Sequence, residues 1–260
     1  MSTFLFDEIV FGPVKSRRLG VSLGINLLPT KRKICNFNCI YCECGWTGDI
    51  EKAGDCLPLR QEVFEALDKK LSEMKAENTP PDVITFAGNG EPTLHPDFPG
   101  IIDDSILLRN KYFPDAEIAV LSNSTTISNP KVRAALLEVD KNILKLDSAF
   151  DHTILIHNQP RVKIKAADLI DELASFNGKL TIQTLFLRGK YNGQTVDNTT
   201  PAEISAWLKA IEKIKPSEVM IYTISRDTPN GAHLEKVPMK ELRGIAQLVE
   251  KMGIRTQVSG

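Results

Sequence analysis

Nowhere in the 260 residues does an apolar run approach the roughly 18 residues of a membrane span, so no spanning helix is expected. The opening MSTFLFDEIVFG carries acidic residues. It lacks the basic start, apolar run and small-residue cleavage site of a secretory signal. Cysteine is missing from all but one short segment: Cys35, Cys39, Cys42, Cys44 and Cys56 are the full set of five. A secreted fold stapled by disulfides would spread its bridges through the chain, and an odd count leaves one thiol over. A metal site in a reducing compartment fits better, and a cytoplasmic location follows as an expectation. Neither sign of charge dominates, since 32 Lys and Arg against 33 Asp and Glu leave −1. That balance argues against tight nucleic-acid binding through the whole surface. Internal repeats and low-complexity tracts are also absent.

What is present is an alternation of strand and helix signals. An opening section over 1–30, rich in Gly and Pro punctuation, predicts a hairpin-like extension leading into a first strand over 21–28. Further strands are predicted over 82–87, 117–122, 142–147, 180–187 and 218–224, with one more over 255–258. Helices are predicted over 59–74, 101–111, 130–137, 161–176, 200–214 and 240–252. Asn129 is a plausible N-cap before Pro130, and Thr200 with Glu203 makes a cap signature. Such alternation implies βαβ units and a parallel sheet. Six units without room for eight predict an α/β fold, an incomplete (β/α)6 barrel of the TIM type in one domain over 1–260. In barrels the chemistry sits at the C-terminal ends of the strands.

The cysteine loop, 31–49, falls at such an end. Cys35-Asn36-Phe37-Asn38-Cys39-Ile40-Tyr41-Cys42 spaces its thiols by three and then two intervening residues. Three thiolates on so short a loop converge only if the loop wraps around one centre. Four-cysteine clusters are coordinatively closed; three ligands leave a position open for an outside group, as in catalytic zinc sites. A structural zinc site using Cys44 or a histidine, or a redox cysteine pair, are the alternatives. His95, His152, His157 and His233 share no metal spacing.

This loop, with an aromatic residue directly before its last cysteine, resembles the signature of the radical S-adenosylmethionine superfamily. The resemblance implies a [4Fe-4S] cluster on Cys35, Cys39 and Cys42, with S-adenosylmethionine as cofactor. Reductive cleavage of that cofactor would give a 5′-deoxyadenosyl radical that abstracts hydrogen from a substrate. Tyr41 would lie against the adenine. Gly88-Asn89-Gly90-Glu91-Pro92 reads by itself as a βα turn, and resembles the family's glycine–glutamate motif, in which Glu91 would hold the cofactor's ammonium. Asn89 stands where many members have glycine. Asn123 and Asp147, each of which also suits a helix cap, resemble ribose- or carboxylate-binding positions. Gln183 on its strand contacts the ligand or sits in an internal network. Tyr222 and Arg226 are candidates for adenine or substrate contact.

The stretch over 12–46, with 88–96, 145–147 and 183–189, resembles one branch, the proteins similar to wyosine-type tRNA imidazoguanosine synthases. True members carry further upstream cysteines for a second cluster, and none precedes Cys35. The expected substrate is therefore a small molecule or nucleotide. The alternatives are tRNA base modification, activation of a glycyl-radical enzyme, and a zinc-bearing module without catalysis. Arg17 and Arg18 clamp a phosphate or carboxylate, or belong to a solvated charge run. No flavin or second-cluster domain is evident, so an external one-electron reductant of flavodoxin or ferredoxin type is the expected partner. Cys44 and Cys56 are read as inert or loop-local.

Overall fold

The computed structural model describes residues 4–16, 18–48, 57–225 and 233–260. Arg17, Cys56 and Arg226, singled out above, lie outside the described residues. The elements run in the order β1 (Val10–Ser16), β2 (Gly20–Ile25), α1 (Arg60–Ala76), β3 (Val83–Phe86), α2 (Phe98–Tyr112), β4 (Glu117–Ser122) and α3 (Pro130–Glu138). Then follow β5 (Lys141–Lys145), α4 (Asp151–His157), α5 (Ala166–Ala174), β6 (Thr181–Tyr191), β7 (Gln194–Asp197) and α6 (Pro201–Ile214). The chain closes with β8 (Glu218–Thr223), β9 (Leu234–Lys236), α7 (Met239–Glu250) and β10 (Arg255–Ser259).

The main sheet has the order β1-β2-β3-β4-β5-β6-β8-β10. From β2 to β10 each neighbour is parallel, and β1 adds an antiparallel edge by pairing Val10 with Ile25 and Ser16 with Gly20. Strands that neighbour one another in chain order are what successive βαβ units produce. The result is the expected α/β partial barrel, with β10 standing where the further strand over 255–258 is expected.

Alternation along each strand sorts its side chains by face. Ile84, Phe86, Ile118, Val120, Ile182, Val219 and Ile221 face the helices and join the main core. There they meet Val63, Leu67 and Leu71 of α1, Trp207 and Ile211 of α6, and Leu242 and Val249 of α7. Each fully buried side chain of this kind stabilises the fold by about 1.5–3 kcal/mol. The intervening Val83, Ala119, Ile143 and Met220 form a separate cluster on the inner face.

Three local expectations change. The helix predicted over 161–176 begins only at Ala166. Ahead of it, Phe37 bridges Pro160, and Arg161 N–H donates to the Asn36 carbonyl at 2.9 Å. That pairing holds the preceding backbone extended against the cysteine loop, and Asp151 accepts the Ala166 N–H at 2.6 Å. A short helix, α4, precedes it where none is predicted. β6 runs on to Tyr191 because β7 and β9 pair antiparallel with its far end. Asn129 and Thr200 do cap α3 and α6, accepting from Lys131 and Glu203 N–H. The Glu203 carboxylate instead accepts hydroxyls from Ser148 and Thr153.

Candidate metal centre at the barrel mouth

The cysteine loop follows the C-terminal end of β2 and is clamped from two sides. Ile34 N–H donates to the Asn89 carbonyl at 2.9 Å, and Glu91 N–H to the Ile34 carbonyl at 3.0 Å. Gly90 is required between them: its φ is +140°, and a Cβ would lie 1.8 Å from the Ile34 oxygen. At Gly88 a Cβ would meet the Asn26 side-chain oxygen at 2.4 Å. From the other side, Asn38 and Ile40 N–H donate to the carbonyls of Asn158 and His157, both at 2.9 Å. The Thr47 hydroxyl donates to the Cys35 carbonyl at 3.0 Å. Short pairing thus fixes the loop along most of its length.

The three thiols share one pocket. Cys35 and Cys39 are buried and pack with Phe37; Cys42, Tyr41 and Ile164 lie against them. Each thiol also meets a donor or a cation. Asn123 Nδ2 donates to Cys35 Sγ at 3.5 Å, Asn158 Nδ2 to Cys39 Sγ at 3.5 Å, and Phe37 N–H to Cys35 Sγ at 3.4 Å. Lys33, itself buried, bonds Cys42 and feels the charges of all three. Burial pushes the Cys35 thiol up to about 12 and raises Cys39 as well. Cys42 is held low, near 5, chiefly by a hydrogen bond with Cys44 and also by Lys33.

Among the described residues no three His, Cys, Asp or Glu side chains converge on a point that would hold a single metal ion. A four-iron cube asks for something else, one thiolate on each of three separate irons. Three cysteines around a shared pocket, with N–H donors and a lysine aimed at their sulfurs, fit that demand. Cys44 borders this set: it is hydrogen-bonded to Cys42, and its Sγ lies 3.5 Å from the Gly88 carbonyl.

Around the thiols lies a belt of buried polar groups at the strand ends. Glu91 accepts from Thr93 N–H at 3.2 Å, Thr93 Oγ1 at 2.5 Å, Ser122 Oγ at 2.8 Å and Asn123 N–H at 2.6 Å. Burial raises its carboxyl, and these donors pull it back. Asn123 Nδ2 reaches Asn36 Oδ1 at 2.6 Å as well as Cys35.

Asp147 accepts from the Tyr41 hydroxyl, from Asn158 Nδ2 at 2.7 Å and from Leu185 N–H at 3.0 Å. Lys145 Nζ lies 3.5 Å from it and donates to the hydroxyls of Tyr41 at 3.0 Å and Tyr222 at 3.4 Å. Burial opposes the Lys145 charge, yet Asp147 and Tyr222 outweigh it and the ammonium is held above its usual range. Burial, and next the charge of Asp147, push the Tyr41 hydroxyl well up. Gln183 is buried in β6, in register with Lys145 and Met220.

Beside this belt opens a cavity of about 410 Å³. Phe4, Phe6, Phe11, Arg18, Tyr41 and Tyr222 are among its walls. Phe6 stacks on Phe11 at 3.6 Å, and the Arg18 guanidinium lies 4.6 Å from the Tyr222 ring centre. Asn89 explains its own presence here. Its side-chain amide accepts from Phe6 N–H and donates to the Phe6 carbonyl, both at 2.8 Å, and so holds the N-terminal segment.

The structure therefore gathers Cys35, Cys39, Cys42, Tyr41, Asn123, Asp147 and Tyr222 into one connected mouth. Gly88, Gly90 and Glu91 shape its edge. Sequence reasoning missed Asn26, Asn158 and the cation roles of Lys33 and Lys145.

The fold is an open parallel α/β barrel with a three-thiol loop at its strand ends. The Radical SAM superfamily profile matches residues 32–199, and the chain belongs to that superfamily. Its membership implies a [4Fe-4S] cluster and S-adenosylmethionine. A UPF0026 protein of Helicobacter pylori is 30% identical over 90% of this chain and 71% of its own length. A protein named GTPase Obg, from Brachyspira hyodysenteriae, is 32% identical over 85% of this chain, which spans 30% of that longer protein. Among solved structures, a radical SAM methyltransferase from Sphaerobacter thermophilus superposes with a TM-score of 0.66 at 13% identity, over 92% of this chain and 65% of its own. An archaeal TYW1 gives 0.52 at 12% identity, over 88% of this chain and 71% of its own. These two likenesses concern the fold. Among the described residues no helix is long and apolar enough to cross a membrane.

Proposed function

We propose that this chain binds one [4Fe-4S] cluster through Cys35, Cys39 and Cys42 and uses S-adenosylmethionine to abstract hydrogen from a small molecule or nucleotide. The observation that carries this reading is the shared pocket of three thiols, each met by a donor or cation, with Cys44 at its edge beside Cys42 and the Gly88 carbonyl. Bound together, cluster and cofactor supply a one-electron cleavage that yields a carbon radical able to take hydrogen from an unreactive position.

The chain's own part is placement and shielding. Asn123, Asn158 and Lys33 orient and stabilise the thiolates. Tyr41, Gly88, Gly90, Glu91, Asn123, Asp147, Gln183 and Tyr222 are assigned to the cofactor. Backbone approach at Gly88 and Gly90 suits its amino-acid end, and Tyr41 and Tyr222 suit its adenosine. The Thr93 and Ser122 hydroxyls both occupy Oε1 of Glu91, so Oε2, which accepts one N–H from Asn123, is the oxygen left to meet an ammonium. Asp147 anchors Tyr41 and Lys145 and so fixes the wall against which the adenosine rests. Substrate enters the cavity beside Phe4, Phe6 and Arg18, whose volume suits a small molecule.

The test is anaerobic reconstitution with iron and sulfide, reduction by dithionite, and assay for 5′-deoxyadenosine and methionine from S-adenosylmethionine. Both products are expected. An intact cluster that yields neither would contradict the reading. Retention of tRNA by the holoenzyme, lost with rising salt, would move the substrate to the wyosine-like alternative.

A further inference from the structure

The extended segment ahead of α5 carries a groove of about 560 Å³ that the cofactor chemistry does not use. Leu155 and Val162, 56% and 42% exposed, line it together with Ile164. Arg161, Lys163 and Lys165 lie along the same lining and are exposed, with Asp168 its one carboxylate. Three cations within five residues stand out in a chain whose net charge is −1.

The floor of this groove is also the wall of the thiol pocket. Ile164 packs against Cys35, Phe37 and Cys39. Arg161 is tied to the cysteine loop: Nη1 donates to the carbonyls of Thr47 at 3.3 Å and Gly48 at 3.1 Å. Among the described residues, Ile164 therefore lies between an exposed, cationic, partly apolar surface and the cluster of Cys35, Phe37 and Cys39.

We propose that this groove docks the external electron donor, a small acidic one-electron protein of the flavodoxin kind. The inference rests on the cluster reading above. Electron transfer weakens steeply with distance, so a donor gains most where the cover over the cluster is thinnest. Electron-transfer encounters use small interfaces, and opposite charges steer them and raise their rates, more so at low salt. The apolar floor supplies contact, and the lysines supply steering. A nucleic acid would gain nothing from lying over the thiols.

The experiment uses reconstituted holoenzyme and photoreduced flavodoxin, with cluster reduction followed by loss of its visible absorbance in stopped flow. The Lys163→Glu/Lys165→Glu variant leaves the structural Arg161 in place. Its second-order rate constant should fall about tenfold or more at low ionic strength, and the difference should shrink at high salt. Reduction by dithionite should stay unchanged. A Lys69→Glu/Lys240→Glu variant, reversed on the exposed surfaces of α1 and α7, should behave as wild type. Equal flavodoxin rates in all three proteins would overturn the proposal. So would an equal slowing in the control variant, or a matching loss with dithionite. A chain that takes up no cluster would overturn the underlying reading instead, and absorbance after reconstitution separates the two failures.

Discussion

The helix-facing side of the sheet and the mouth of the barrel are built on opposite rules. The first is apolar: Ile84, Phe86, Ile118, Val120, Ile182 and Ile221 are each wholly or almost wholly buried against helices. At the mouth, Asn89, Glu91, Asn123 and Asp147 are buried nearly as well, with Lys145 half-buried beside them, and every one is hydrogen-bonded. Burial of polar groups costs free energy unless partners are supplied. The mouth therefore contributes little net stability and much positional order. Stability resides on one side of the strands and chemistry at their ends.

The sharpest way to break that division is Cys35→Ala. It should abolish the cluster's absorbance and all 5′-deoxyadenosine formation while the helical circular dichroism persists. Next, Phe86→Ala should cost about 3–5 kcal/mol of stability, read from urea midpoints, with activity per folded molecule unchanged. Asp147→Asn should do the reverse. It leaves the fold cooperative but lowers cofactor cleavage about 10–100-fold, the usual cost of losing a group that orients a metal site's surroundings. A Phe86→Ala protein that loses specific activity as severely as Asp147→Asn would erase the distinction. Asn158→Ala, which removes the donor to Cys39 Sγ and to Asp147, should shorten the cluster's lifetime in air by a factor within that range.

A smaller effect concerns pH. His157 is buried with neither ring nitrogen partnered among the described residues, and burial holds it down near 4. The unfolded chain binds the proton near 6.5, so between those values the unfolded state holds more protons and stability falls with acid. At pH 5 this one group removes about 2 kcal/mol relative to pH 7. The His157→Leu variant should therefore show a shallower decline in urea midpoint over that interval, measured on the cluster-free chain. An unchanged decline would assign the acid sensitivity elsewhere.

Much of this division can be read from the amino acids alone. Short apolar runs such as 82–87 and 117–122 declare buried parallel strands, and the cysteine spacing places three thiols on one loop. Gly90 is legible as a close-approach residue, although its partner, the Ile34 carbonyl, is not. What stays hidden depends on pairing across the chain. Asn89 looks like a departure from a glycine motif until its amide meets Phe6, 83 residues away. Lys145 looks like an ordinary strand residue until Asp147, Tyr41 and Tyr222 surround its ammonium. The segment 161–165 has helical character locally but is drawn extended by the cysteine loop, a tertiary preference that overrides local propensity.

One measurement bears most directly on the three-thiol pocket: electron paramagnetic resonance of the reduced, reconstituted protein before and after adding S-adenosylmethionine, for wild type and Cys44→Ala. Both proteins should hold about four irons on three cysteines, and both spectra should change when the cofactor occupies the remaining iron. A spectrum indifferent to the cofactor, together with loss of the cluster in Cys44→Ala, would mean that Cys44 closes the fourth corner and that the site is not built for this chemistry.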